Sequence, residues 1–120
     1  MKHHDLPIKL IIINNDGYLS IKISQKTFFN SRFVASEKNS GVSLPSFQKL
    51  IAAYELPYYR IEQSSEIDGV LTSFLNHEGP AVCEVFTSPN ETHEPKVVAR
   101  LGADGKFIPG ELKNIQWIES

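Results

Sequence analysis

A chain of 120 residues suits one domain around one core, since a domain of this size buries somewhat more than ~60% of the surface its unfolded form exposes. With 41% apolar and 22% charged residues, its composition is that of a globular protein and argues against wholesale disorder. A net charge of −2 supplies no basic field for a phosphate backbone, so nucleic acid is not an expected partner.

The amino terminus starts basic, but Lys9 interrupts the apolar run from Ile8 to Ile13 and no small-residue cleavage site follows, so no signal peptide is expected. No stretch approaches the roughly 20 apolar residues of a membrane span. Cys83 is the only cysteine and lies inside Ala81-Val82-Cys83-Glu84-Val85-Phe86, which excludes an internal disulfide and predicts a small buried core residue in a reducing compartment. The expectation is a soluble cytoplasmic protein.

In chain order, Ile8 to Ile13 is a nearly continuous, mostly β-branched apolar run bounded by turn residues, the pattern of a strand buried on both faces. It runs into Asn14-Asn15-Asp16-Gly17. Read alone, those residue types make a turn, because they tolerate left-handed backbone and bond their own main chain. Their position at the carboxyl end of a leading buried strand is also where open α/β sheets bind ligands.

From Tyr18 to Phe29 the pattern is ambiguous. Leu19, Ile21 and Ile23 alternate with Ser20, Lys22 and Ser24 behind an Asp-Gly pair, which favours a second strand turning back on the first. The helical alternative aligns Tyr18, Ile21, Gln25 and Phe28. Phe47, Leu50, Ile51 and Tyr54 recur at helical spacing, so an amphipathic helix is predicted from about Pro45 to Glu55 with Ser43 near its cap.

Pro57 to Ile61 is a strand candidate. Ile67, Val70, Leu71, Phe74 and Leu75 repeat the helical spacing, with Ser65 and Asp68 as a capping box and Gly79 as the stop. Ala81 to Phe86 is the third strand. Strands alternating with helices imply parallel pairing, hence an α/β fold with a partial parallel sheet of about three strands and intervening helices. After Thr87, scattered Pro and Gly predict an extended C-terminal tail, closed by a short helical piece near Glu111 to Trp117. The expected division is 1–86 for the α/β domain and 87–120 for the tail.

The stretch Leu6-Pro7-Ile8-Lys9-Leu10-Ile11-Ile12-Ile13-Asn14-Asn15-Asp16-Gly17-Tyr18 resembles the second half of the thiamine diphosphate motif of acetolactate synthase-like enzymes, which a Gly-Asp-Gly element opens and an Asn-Asn pair closes. The likeness continues through Gln25, Phe28-Phe29, the Ser40-Gly41-Val42 turn, the Phe47 helix and Gly79 to Val85. The resemblance implies a thiamine diphosphate- and Mg²⁺-binding domain in which the Asn15 side-chain oxygen and the Gly17 carbonyl coordinate the metal. The backbone of Asp16, Gly17, Tyr18 and Leu19 approaches the diphosphate. Many family members carry glycine where this chain has Leu19. The family also places a helix after the Asn pair, so Tyr18 to Phe29 is expected to be mostly helical.

A whole enzyme of this kind decarboxylates a 2-keto acid such as pyruvate and passes the resulting carbanion equivalent to a second carbonyl. No Gly-Asp-Gly occurs in the chain, and the 13 residues before Asn14 are fewer than the roughly 20 needed for the helix and strand that separate the two elements in the family. Asp5 does not stand in for that ligand. The expectation is the carboxyl-terminal part of such a domain, inactive alone and without catalytic residues of its own. The alternative is a non-enzymatic remnant or split subunit that completes its sheet with a partner chain or a second copy, because an exposed apolar edge templates pairing. His3, His4, His77 and His93 lack metal-ligand spacing with Cys83. Phe28 and Phe29 read as core more readily than as a substrate mouth, and Trp117 as an anchor of the tail, either to the domain or to a neighbouring subunit.

Overall fold

The computed structural model describes every residue except Lys2, Asp5, His93, Val98 and 116–120. The sequence readings made at Asp5, His93 and Trp117 fall outside the described residues. Three strands, β1 (Lys9–Asn14), β2 (Tyr58–Ile61) and β3 (Ala81–Phe86), form one parallel sheet in the order β1-β3-β2. The helices are α1 (Leu19–Phe28), α2 (Phe47–Ala53) and α3 (Ile67–Asn76). This is the expected α/β architecture, with the third strand in the middle.

β3 is central, and the register pairs its Glu84 with Ile12 on one side and Arg60 on the other. Alternation then sends Ala81 and Cys83 to the face covered by α3, where they pack with Ile61 and the fully buried Phe74. Cys83 is buried as predicted, and burial raises its thiol pKa. Lys9, which breaks the leading apolar run, reaches across the sheet end. Its ammonium donates to the carbonyls of His77 at 2.8 Å and Gly79 at 2.6 Å, tying β1 to the turn that follows α3.

The leading strand is not buried on both faces. β1 pairs along one side only, and Leu10, Ile11 and Ile13 are 45%, 47% and 59% exposed because no described element covers its outer edge. The segment after Tyr18 is helical and does not fold back on β1. α2 is capped by Ser46, whose hydroxyl accepts the Lys49 N–H, rather than by Ser43. Ahead of α3 a 3₁₀ turn, Ser64–Glu66, carries the box that was expected at Ser65 and Asp68; the Glu66 carboxylate accepts the N–H groups of Glu62 and Gln63.

The tail is extended but not featureless. β4 (Arg100–Leu101) and β5 (Phe107–Ile108) make a small antiparallel pair around a Gly102 to Gly105 turn, and of the expected helical piece the described residues hold a 3₁₀ turn at Leu112–Asn114. Phe107 meets Phe28 edge-on at 4.9 Å, whereas Phe29 stays exposed. The radius of gyration is 18.4 Å, against about 14 Å for a compact domain of this length, consistent with a tail that leaves the layered part. No helix among the described residues is long and apolar enough to cross a membrane.

Candidate functional site

The Asn-Asn-Asp-Gly segment leaves the carboxyl end of β1 and enters α1. Asn14 is held at three points: its carbonyl accepts the Thr87 N–H at 2.9 Å, its Nδ2 donates to Glu84 Oε1 at 2.6 Å, and its Oδ1 accepts the Asp16 N–H at 3.0 Å. The last bond closes a local turn in which Asp16 adopts φ +55°, a left-handed conformation that aspartate tolerates better than most residues.

Gly17 then lies against the 34–37 segment, opposite Glu37, and the Tyr18 N–H donates to the Ser36 carbonyl at 2.8 Å. That segment is fastened to α1. Ser36, fully buried, donates through its hydroxyl to Gln25 Oε1 at 2.7 Å, Gln25 Nε2 donates to the Val34 carbonyl at 2.9 Å, and Lys22 pairs with Glu37 at 2.9 Å.

α1 starts at Leu19 with its side chain turned inward, 7% exposed. Tyr18 offers no side-chain cap and the first turn holds no acidic residue, so the opening N–H groups of the helix have no partner within it. Beside them Asn15, Tyr18, Leu19, Ser20 and Ile21 line an open hollow of 280 Å³. Among the described residues the Asn15 carboxamide and the Gly17 carbonyl make no hydrogen bond. Unpaired helix-start amides suit an anion, and neutral carboxamide and carbonyl oxygens suit a hard cation shared with that anion.

The structure therefore brings Asn15, Tyr18, Leu19 and the start of α1 to one rim, while Gly17, between Asn15 and Tyr18 in the chain, packs against the 34–37 segment and does not line the hollow. Of the four backbone positions read from the sequence, the amides of Asp16 and Tyr18 are already engaged, by Asn14 Oδ1 and the Ser36 carbonyl. His3, His4 and His77 are not at the rim, and no group of three His, Cys, Asp or Glu among the described residues is placed to hold a metal. A larger hollow of 420 Å³ lies between α1 and Pro89, Asn90, Glu91, Thr92 and Lys96; its Lys22 is already paired with Glu37 and donates to the Pro89 carbonyl at 3.0 Å.

Sequence reasoning missed Glu84 and Tyr58. Glu84 is 3% exposed in the middle of the sheet, with Asn14 on one carboxylate oxygen and the Tyr58 hydroxyl donating to the other. Burial, reinforced by the Glu84 hydrogen bond and charge, pushes the Tyr58 pKa up to about 12. The signal was in the sequence as a carboxylate inside an otherwise apolar strand, because a buried charge requires partners.

Residues 1–85 match the family model for the thiamine pyrophosphate enzyme C-terminal TPP binding domain, TPP being thiamine diphosphate. The chain belongs to this family. Its curated relatives include the acetolactate synthase large subunit of Porphyra purpurea, 28% identical over 94 residues that make up 78% of this chain and 16% of that protein. The mitochondrial acetolactate synthase of Schizosaccharomyces pombe is 26% identical over 110 residues, 92% of this chain and 14% of that protein. The Escherichia coli acetolactate synthase isozyme 2 large subunit is 24% identical over 97 residues, 81% of this chain and 17% of that protein. The chain thus aligns with 14–17% of the length of these relatives. The resemblance carried by residues 6–18 holds: this is a thiamine diphosphate-binding domain of the acetolactate synthase-like kind.

Proposed function

We propose that the rim at the end of β1 holds the diphosphate of thiamine diphosphate together with Mg²⁺. Asn15 Oδ1 and the Gly17 carbonyl take the metal, and the backbone from Asp16 to Leu19, continued by the free amides at the start of α1, faces the phosphates. The observation that carries this reading is an uncapped helix start and the unbonded Asn15 carboxamide lining one hollow at the carboxyl end of a parallel strand, with the unbonded Gly17 carbonyl two residues further along the chain. With Asp16 and Tyr18 amides engaged elsewhere, those two residues shape the approach and leave the contacts to Gly17, Leu19 and the residues after it.

When bound, the cofactor supplies the electron sink for decarboxylation and carboligation of 2-keto acids, and the protein supplies orientation and electrostatics. The 120 residues contain no Gly-Asp-Gly, so the charged metal ligand is not among them. Its lack forfeits roughly 1.5–3 kcal/mol, about 10- to 150-fold in affinity. Residues 1–86 are accordingly the carboxyl-terminal portion of the cofactor domain, 87–120 its extended tail, and the chain alone binds Mg²⁺ and cofactor weakly and does not turn over substrate in the cytoplasm. The purified chain, given thiamine diphosphate, Mg²⁺ and pyruvate, is expected to release no CO₂; sustained release contradicts the proposal.

A second reading rests on the uncovered edge of β1, with Leu10, Ile11 and Ile13 exposed: a remnant or split subunit that pairs with another chain. Activity that returns only when a polypeptide carrying Gly-Asp-Gly is added supports a split enzyme. Self-association indifferent to cofactor supports a remnant.

A further inference from the structure

Glu84 occupies an unusual place. It stands at the centre of the central strand, 3% exposed, and each flanking strand sends one donor to it: Asn14 from β1 and Tyr58 from the start of β2. A carboxylate so placed is costly to take out of water unless both oxygens are satisfied, and here both are.

The consequence reaches the rim through Asn14. A carboxamide has a donor end and an acceptor end, and the carboxylate accepts only from the donor end. With Nδ2 held by Glu84, Oδ1 is turned toward the strand tip, where it accepts the Asp16 N–H. The reversed carboxamide would set an NH₂ against that N–H, two donors facing each other. Glu84 therefore fixes the polarity of Asn14, and Asn14 fixes the left-handed turn at Asp16, whose neighbours on either side are Asn15 and Gly17.

We propose that Glu84 is a positioning residue for the cofactor rim, acting through Asn14 and the Asp16 amide to present the Asn15 and Gly17 oxygens. This rests on the reading of those oxygens as the metal-holding pair. Tyr58 completes the arrangement by holding the other carboxylate oxygen, so that Glu84 is steadied from the side of the sheet away from the rim strand.

The test exchanges the two ends of the Asn14–Glu84 bond in the full chain. Glu84→Met removes the carboxylate at similar volume, and Asn14→Asp sets two carboxylates against each other. Each is expected to raise amide hydrogen exchange at Asp16 about tenfold or more, the worth of one charge-assisted bond. The double variant Asn14→Asp/Glu84→Gln puts the amide on β3 and the carboxylate on β1, so both end bonds re-form and Asp16 exchange returns to within about threefold of the parent. Amides of Tyr59 and Ile61 report whether the sheet itself survives.

A purely structural role for Glu84 does not produce this recovery. If Asp16 exchange is unchanged in Glu84→Met while the sheet amides stay protected, or if the folded double variant shows no recovery over Asn14→Asp, the proposal is overturned. The response of the first-turn amides of α1 to thiamine diphosphate with Mg²⁺ is followed in the same samples. Swap-dependent Asp16 exchange without any such response in the parent chain supports the relay and overturns the metal-holding reading instead.

Discussion

A Cβ built on Gly17 stands 2.6 Å from the carbonyl oxygen of Ser36. Side chains do not approach a backbone oxygen that closely, so glycine at this position is required by the contact itself. Gly17→Ala must push the 34–37 segment away from the strand tip and break the Tyr18 N–H to Ser36 bond. The expected cost is about 1–3 kcal/mol, read as a lowered denaturant midpoint, with a weaker Mg²⁺-dependent cofactor response.

The same segment depends on Gln25. Gln25→Ala strands the buried Ser36 hydroxyl and frees the Val34 carbonyl and amide, which Gln25 clamps from both sides. A loss of about 1–3 kcal/mol is expected in chemical denaturation. Ser36→Ala leaves Gln25 bonded to Val34 and is expected to cost about 1 kcal/mol.

Phe74 is the largest side chain in the core and has no exposed surface. Phe74→Ala is expected to cost about 3–5 kcal/mol. Natural domains have only about 5–15 kcal/mol in total, so this variant is expected to lose a large share of its helical circular dichroism transition or unfold outright. Leu75→Ala on the exposed side of the same helix serves as the control and is expected to shift the midpoint little.

Two titrations carry opposite signs. The Glu66 carboxyl is held below its ordinary 4.5 by the Glu62 and Gln63 amides. A depressed folded pKa contributes stability above the unfolded value that is lost as pH falls through the folded one, so Glu66→Gln is expected to flatten the acid limb of stability below about 4.5. The Tyr58 hydroxyl is raised from 10.0 to about 12. Its contribution is complete below 10.0 and fades as pH rises toward 12, and the phenolate absorbance step missing from Tyr58→Phe is expected near 12.

How much of this was legible follows from the range of the interactions. β1, α3 and β3 were legible because each is a sustained apolar pattern bounded by turn residues. α1 was not legible from pattern: Ile21 is an apolar residue on an exposed helical face, which gave the segment a strand-like alternation, and only the family resemblance called for a helix. Capping was read in kind and misplaced by position, Ser46 for Ser43 and Glu66 for Asp68, because neighbouring residues of the same chemistry compete for each cap. The β4–β5 pair is two residues per strand, too short to show a period. Asn15 and Gly17 were legible as a local motif, whereas Glu84 and Tyr58 reach the site through register across the sheet, with 70 residues separating Glu84 from Asn14.

The most direct test is a nuclear magnetic resonance titration of the full chain with thiamine diphosphate at millimolar concentration, with and without Mg²⁺. The expected shifts are confined to the Asn15 side-chain amide and to the backbone of Gly17 and the first turn of α1, seen with Mg²⁺ and much reduced without it, and lost in Asn15→Leu. Shifts that ignore Mg²⁺ and Asn15, shifts centred away from the tip of β1, or none at all contradict the proposed cofactor rim.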